Sequence, residues 1–128
     1  MKIKKNDLIF IHQFIWTYIY KEVEDYKDRN IINLPQNFNI KEMKNKALSL
    51  LLEEGIITDV LMDWLSTHNF CVLCSIIAWS ENGCIDCQLK DCNSPRSMYQ
   101  QARKGSLSAI RDIYYSIDKA LIPDIIEL

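Results

Sequence analysis

Residues 6–28 read NDLIFIHQFIWTYIYKEVEDYKD, a segment in which apolar residues recur at helical spacing. One face of the predicted helix holds Leu8, Ile11, Ile15, Tyr18, Ile19, Val23 and Tyr26. Asn6 is the expected N-cap, with Asp7 in the first turn complementing the helix dipole. The other side is apolar as well, since it holds Ile9, Phe10, Trp16 and Tyr20. A helix that is apolar on most sides must be covered on several sides, so we expect a central core helix; a partner or dimer surface is the alternative.

Two further helices are predicted before the middle of the chain. Asn39 followed by Glu42 forms a capping-box-like start, and Gly55 supplies the C-terminal stop. The face between them holds Ile40, Met43, Ala47, Leu48 and Leu51. A short helix is expected from about Thr58, and one side of it holds Val60, Leu61, Trp64, Leu65 and His68.

Two more helices are expected in the last third. Ser94 and Pro95 resemble a cap and first turn, which predicts a helix to Lys104 that Gly105 closes. A last helix begins at Ser106 and ends before Pro123. Its apolar face holds Leu107, Ile110, Ile113, Tyr114, Ile117 and Leu121. The chain of 128 residues is thus expected to be a single, mainly α, bundle-like domain of about five helices, with an irregular zinc-knuckle insertion at residues 68–95.

The N-terminus carries lysines ahead of an apolar run, as targeting signals do. Polar residues such as His12 and Thr17 interrupt that run, and it lacks a small-residue cleavage site. It is also shorter than the roughly 20 residues that span a bilayer. We therefore expect a cytoplasmic protein with no membrane association.

All five cysteines fall within residues 71–92, which read CVLCSIIAWSENGCIDCQLKDC. Cys71 and Cys74 form one C-x2-C pair, Cys84 and Cys87 form a second, and Cys92 follows. Two residues between thiolates allow one tight turn to direct both sulfurs at a cation, and Zn²⁺ takes four such ligands tetrahedrally. The spacing therefore predicts a structural zinc site.

Alternatives remain open both for the set of ligands and for the metal. Cys92 competes with Cys84 or Cys87 for a place, and His68 precedes the first pair by the same two-residue gap, although a histidine at a helix end more often caps carbonyls. An iron–sulfur cluster also uses four cysteines, and free buried cysteines remain a third interpretation. Disulfides would leave one of five cysteines unpaired.

Charge and motifs restrict the function classes. Residues 1–46 carry nine Lys/Arg against six Asp/Glu, and residues 47–128 carry six against eleven, so the second part is acidic. The chain has no Gly-rich phosphate loop, no G-x-S-x-G elbow and no H-x-E motif, and we predict that it is not an enzyme. A nucleic-acid interpretation would use Arg96, Arg103, Lys104 and Arg111, with Tyr99 for stacking. Aspartates interspersed among these cations dilute the field, so nucleic acid is the secondary hypothesis.

The order of the cysteine pairs and of the residues that follow them resembles a segment found in other proteins. Cys71–Cys74, Gly83–Cys87, Cys92 and Ser94–Pro95 resemble a segment of small uncharacterised proteins of phages and other mobile elements, although Gln88 replaces the proline that many of them have after the second pair. The resemblance implies a cysteine-bound metal and an accessory role. In size, charge and lack of active-site motifs the chain is also similar to anti-CRISPR and other anti-defence inhibitors.

These observations predict a zinc-stabilised protein that binds a host protein and inhibits it. The acidic second part would complement a basic, nucleic-acid-handling partner. Phe10, Trp16 and Tyr20 are the candidate anchors for this partner or for a homodimer. A small zinc-containing nucleic-acid-binding regulator is the alternative.

Overall fold

The computed structural model describes residues 2–28, 39–66, 97–117 and 124–127. Within these ranges the chain forms two short strands and five helices. They are β1 (Lys2–Lys4), α1 (Lys5–Asp28), α2 (Ile40–Glu53), α3 (Asp59–Ser66), α4 (Met98–Arg103), α5 (Leu107–Ser116) and β2 (Ile125–Glu127). The predicted mainly α class is confirmed, whereas the predicted zinc-knuckle insertion at 68–95 lies outside the described residues.

Helix α1 is the centre of the core, as its sequence predicts. It packs against α5 on one side and against α2 on another. Its fully or nearly fully buried side chains are Leu8, Ile11, His12, Ile15, Trp16, Ile19 and Val23. The predicted N-cap at Asn6 is wrong, because the helix begins at Lys5 directly after β1 and Asn6 lies inside its first turn.

Helix α2 begins and ends where its sequence predicts. The Asn39 side-chain oxygen accepts hydrogen bonds from the Lys41 and Glu42 amides at 2.8 and 3.3 Å, and so satisfies two of the amides at the helix start. Gly55 follows the last turn with a φ of +71°, a left-handed conformation that only glycine adopts without steric cost. Leu48 and Leu51 are buried against the core.

Helix α3 is joined to α2 by a buried lysine that sequence reasoning missed. The Lys44 side chain is only 1% exposed, and its ammonium donates a hydrogen bond to the Leu65 carbonyl at 3.0 Å. That carbonyl belongs to the last turn of α3, where helical carbonyls lack intrahelical partners and a cation is favoured. The predicted face of α3 is partly wrong: Leu61 and Leu65 are buried, but Val60 is 64% exposed.

The last two helices form a capped pair. Ser97 is the N-cap of α4 and accepts from the Gln100 amide at 3.1 Å, so the start predicted at Ser94–Pro95 is wrong. The helix predicted to begin at Ser106 is α5, and Ser106 is its N-cap, accepting a hydrogen bond from the Ala109 amide at 3.2 Å. Gly105 connects the two helices with a φ of +88°.

A two-stranded antiparallel ladder, absent from the sequence prediction, closes the fold. Ile3 of β1 pairs with Ile126 of β2, and the Lys5 amide continues the contact by donating to the Asp124 carbonyl at 2.9 Å. Ile3 is buried in the main core. None of the helices in the described ranges combines the length and apolar character needed to span a bilayer.

Candidate functional site: an aromatic cleft between α1 and α5

A buried polar contact holds α5 in place on α1. The His12 imidazole has no exposed surface, and its Nε2 lies 2.8 Å from the Ile113 carbonyl oxygen. A carbonyl can only accept, so Nε2 must carry the proton. The Ser116 hydroxyl donates to the same oxygen at 2.6 Å, while the Ile117 amide, which would continue the helical ladder to Ile113, donates to the Tyr115 carbonyl instead. Side chains therefore replace the missing ladder bond and fix the end of α5 beside the first half of α1.

Next to this contact, α1 and α5 enclose a cleft of about 270 Å³. Its wall consists of Trp16, Thr17, Tyr20, Lys21 and Glu24 from α1, and of Ile110, Arg111, Tyr114 and Tyr115 from α5. Most of that wall is apolar or aromatic, because Trp16 and Tyr20 lie one turn apart on α1 and Ile110 and Tyr114 lie one turn apart on α5. The two tyrosine rings of α5 contact each other edge to face, with centroids 4.9 Å apart.

Three charged side chains lie at the rim of the cleft. Lys21, Glu24 and Arg111 are all exposed to solvent. An ion pair joins Lys46 to Glu42 on α2 at 3.6 Å, far along the sequence from the cleft. The rim therefore carries two cations and one carboxylate, and its net charge of +1 is opposite in sign to that of the whole chain.

The floor of the cleft contains a buried donor. Trp16 is 1% exposed, and its indole N–H has no acceptor among the residues that the structure describes. Buried indole N–H groups usually find an acceptor, so this position is an exception. The N–H is closed off from water, which places it behind the cleft surface.

Aromatic side chains that are exposed or half-buried lie on the same two helices as the cleft, and we define the aromatic surface as Phe10, Phe14, Tyr20 and Tyr115. Phe10 and Phe14 lie one helical turn apart with ring centroids 6.1 Å apart, and Phe10 is 47% exposed. Tyr115 on α5 is 56% exposed, and Tyr20 is half-buried in the cleft wall. Large exposed apolar groups of this kind are typical of binding surfaces.

The three predicted anchors differ in how far the structure buries them. Phe10 is exposed, and Tyr20 is half-buried beside the cleft, as an anchor requires. Trp16 is in the core, so in this conformation it supports the surface from below and presents no face to a partner. Periodicity placed Trp16 on the side of α1 away from the predicted core face, and the depth of the α5 contact could not be read from it.

The predicted metal ligands Cys71, Cys74, Cys84, Cys87 and Cys92, and the competing ligand His68, lie outside the described residues. Within 2–28, 39–66, 97–117 and 124–127, no three His, Cys, Asp or Glu side chains form a group that could hold a metal ion. The zinc site therefore stays a prediction.

The nucleic-acid alternative loses its stacking residue. Tyr99 is 4% exposed and belongs to the core, so no base can stack on it without rearrangement. Arg103, Lys104 and Arg111 are exposed, while Arg96 lies outside the described residues.

Sequence reasoning missed half of the cleft. Tyr114 was assigned to the core, and Tyr115 and Lys21 were given no role. The available signal was the pair of adjacent tyrosines on an otherwise regular amphipathic helix: when Tyr114 packs partly inward, Tyr115 must project outward. Comparisons with family models, with curated proteins and with solved structures found no match to this chain.

Proposed function

We propose that this protein is a non-enzymatic, zinc-stabilised interaction protein that binds a host protein and inhibits it, as an accessory factor of a phage or other mobile element. The observation that carries the proposal is the exposed aromatic surface, which consists of Phe10, Phe14, Tyr20 and Tyr115 on two helices that a buried hydrogen bond holds together. Aromatic side chains on a rigid support lose little conformational entropy when they bind, and they are enriched among interface hot spots.

The anti-defence role rests on the class resemblance in size, charge and motif content. The acidic second part of the chain favours a basic partner, such as a nucleic-acid-handling enzyme of the host. An inhibitor of this type needs no catalytic group, since it acts by covering a surface. A second copy of this chain is the competing occupant of the aromatic surface.

Partner capture followed by reconstitution tests the interaction. The tagged protein retains candidates from a bacterial host extract, and each candidate is then purified and titrated against the wild type by calorimetry. Phe10→Ser and Tyr115→Ser should each weaken binding about tenfold or more, as expected for hot-spot residues that contribute above 1 kcal/mol. Val60→Ser is the matched control, because Val60 is also an exposed apolar residue but lies on α3.

The outcome separates three cases. Loss of binding in both aromatic variants, with inhibition of the partner's activity lost in parallel, supports the proposal. Equal effects of all three substitutions would contradict it. A sedimentation profile showing a wild-type dimer that Phe10→Ser dissociates would assign the surface to self-association instead.

The zinc part of the proposal is supported by the paired C-x2-C spacing within residues 71–92. Native mass spectrometry of the purified protein should give the polypeptide mass plus one zinc ion. Reaction with a thiol reagent should be slow until a chelator is added, because thiolates bound to zinc are protected. The bare polypeptide mass with five freely reactive thiols would contradict the zinc site.

The exposure of Arg103, Lys104 and Arg111 favours one alternative, a small zinc-containing nucleic-acid-binding regulator. Such binding would weaken steeply with salt, because cations that contact phosphates release counterions. A gel shift at low and moderate salt separates the two functions. A shift that weakens steeply with salt and is reduced by Arg103→Gln would support the regulator, whereas the absence of a shift at low salt would leave the protein-binding function as the better account.

A further inference from the structure

The cleft between α1 and α5 has the size of a small-molecule site. Its volume of about 270 Å³ is close to the lower end of the roughly 300–1,000 Å³ found for ligand pockets. A single substituted ring fits this space, whereas a folded partner would have to insert one side chain into it. The size therefore favours a free small ligand.

The walls favour a planar, apolar group. Tyr20 and Tyr114 are half-buried, and the Ile110 side chain is fully buried between them and the core. Aromatic rings attract one another in offset or edge-to-face arrangements beyond the gain from area burial. An aliphatic ligand would gain the burial but not this additional term.

The rim favours a single negative charge. Arg111 presents a planar guanidinium that matches a carboxylate through two parallel hydrogen bonds, and Lys21 adds a second cation. Glu24 lies in the same wall and repels anions. One carboxylate balances the rim's net charge of +1, whereas a phosphate dianion would leave a negative charge without compensation.

From these walls and this rim we propose that the cleft binds a small aromatic monocarboxylate, with the ring between Tyr20 and Tyr114 and the carboxylate at Arg111 and Lys21. The proposal goes beyond the proposed function: the cleft shares Tyr20 and Tyr115 with the aromatic surface, but the ligand is one that the protein binds without a partner. Trp16 in the floor supplies a reporter, because its indole N–H has a resonance of its own in NMR spectra.

The test is a ¹H–¹⁵N correlation titration of the full-length protein with defined probes. Indole-3-acetate and 4-hydroxyphenylacetate should cause saturable shifts at the Trp16 indole and at the amides of residues 17–24 and 110–115. 4-Hydroxyphenylacetamide keeps the ring and removes the charge, and hexanoate keeps the charge and removes the ring. Each of these two analogues should bind at least about fivefold more weakly than the aromatic acids.

Substitutions at the rim should change the affinity for the ligand in opposite directions, which a merely structural effect would not. Lys21→Gln and Arg111→Gln should each weaken indole-3-acetate about two- to fivefold, the range for exposed charge pairs, and the double variant should weaken it further. Glu24→Gln should strengthen binding by a similar factor, because it removes the repulsive carboxylate. Arg103→Gln is the matched control, since Arg103 is an exposed cation on α4 outside the cleft, and it should leave affinity unchanged.

Three results would overturn the proposal. The first is the absence of saturable shifts for every aromatic acid, and the second is equal affinity for the acid and its amide. The third is binding of the peptide acetyl-Asp-Phe-amide, which offers the same ring and charge within a chain, while the free acids do not bind. The cleft would then be a groove for a partner's side chain. The three rim positions and the control position Arg103 are all exposed, so each variant should retain the wild-type circular dichroism spectrum.

Discussion

The Ile113 carbonyl accepts two side-chain hydrogen bonds at the end of α5, and this predicts how the effects of two substitutions on stability combine. The Ile113 carbonyl accepts hydrogen bonds from the His12 imidazole at 2.8 Å and from the Ser116 hydroxyl at 2.6 Å. Removing either donor leaves the other in place, so neither single substitution orphans the carbonyl. Removing both takes away both side-chain donors that the structure describes for this buried oxygen. The Ile117 amide does not replace them, because it donates to the Tyr115 carbonyl.

The magnitudes follow from this difference. His12→Phe keeps an aromatic ring in a site with no exposed surface, and Ser116→Ala removes one oxygen, so each should lower the free energy of unfolding by about 1 kcal/mol, the net value of one hydrogen bond. The double variant adds the cost of an unsatisfied buried acceptor, about 1–3 kcal/mol. We therefore expect a total loss of about 3–5 kcal/mol, well above the sum of the two single losses.

Urea unfolding of the zinc-supplemented protein, monitored by far-ultraviolet circular dichroism, measures the four free energies of the cycle. Independent substitutions add within about 0.3–0.5 kcal/mol, so a coupling of 1 kcal/mol is resolved. Ser49→Ala is the matched control for the second position, because the Ser49 hydroxyl donates to the Asn45 carbonyl within α2 at 3.0 Å. Additivity of His12→Phe with Ser116→Ala, as with Ser49→Ala, would refute the shared-acceptor reasoning.

Other perturbations test the packing, the turns, the caps and the metal. Leu65→Ala should cost about 2–5 kcal/mol in urea unfolding because it empties a fully buried site, whereas Val60→Ala on the same helix should stay within about 0.5 kcal/mol because Val60 is exposed. Gly55→Ala should cost about 1 kcal/mol for backbone reasons alone, since an added Cβ would meet no atom within 4 Å while φ is +71°; Gly55→Asn should cost less, and equal costs would contradict this. Ser106→Ala should cost about 1 kcal/mol through loss of the α5 cap, and an Asp at this position should restore most of it. A chelator should lower the thermal midpoint and increase proteolysis at residues 68–95, and a melt indifferent to chelation would contradict the structural zinc.

Features that depend on neighbouring residues could be predicted from the sequence, and features that depend on long-range contacts could not. The cap at Asn39 and the stop at Gly55 depend on a few neighbouring residues, and both are confirmed. The N-cap at Asn6 failed because β2, more than a hundred residues away, pairs with β1, and α1 starts at Lys5, two residues earlier than a cap at Asn6 implies. The burial of Lys44 likewise depends on where the end of α3 comes to lie.

The candidate site shows the same division. Helical periodicity identified α1 as a core helix with surplus aromatic residues, of which Phe10 is 47% exposed. It could not show that α5 covers Trp16 or that Tyr114 and Tyr115 complete the cleft, because these facts depend on the relative position of two helices distant in sequence. Zinc ligation by the cysteines of residues 71–92 stays a prediction.

The position of α1 has a consequence for synthesis on the ribosome. This central helix emerges before α5, which covers one of its sides, and before β2, which pairs with the strand that precedes it. Until residues 107–127 have been synthesised, the nascent chain therefore exposes an apolar surface that α5 covers in the folded protein. Chains that stop before residue 107 should aggregate or recruit chaperones, whereas chains that include α5 and β2 should close the core.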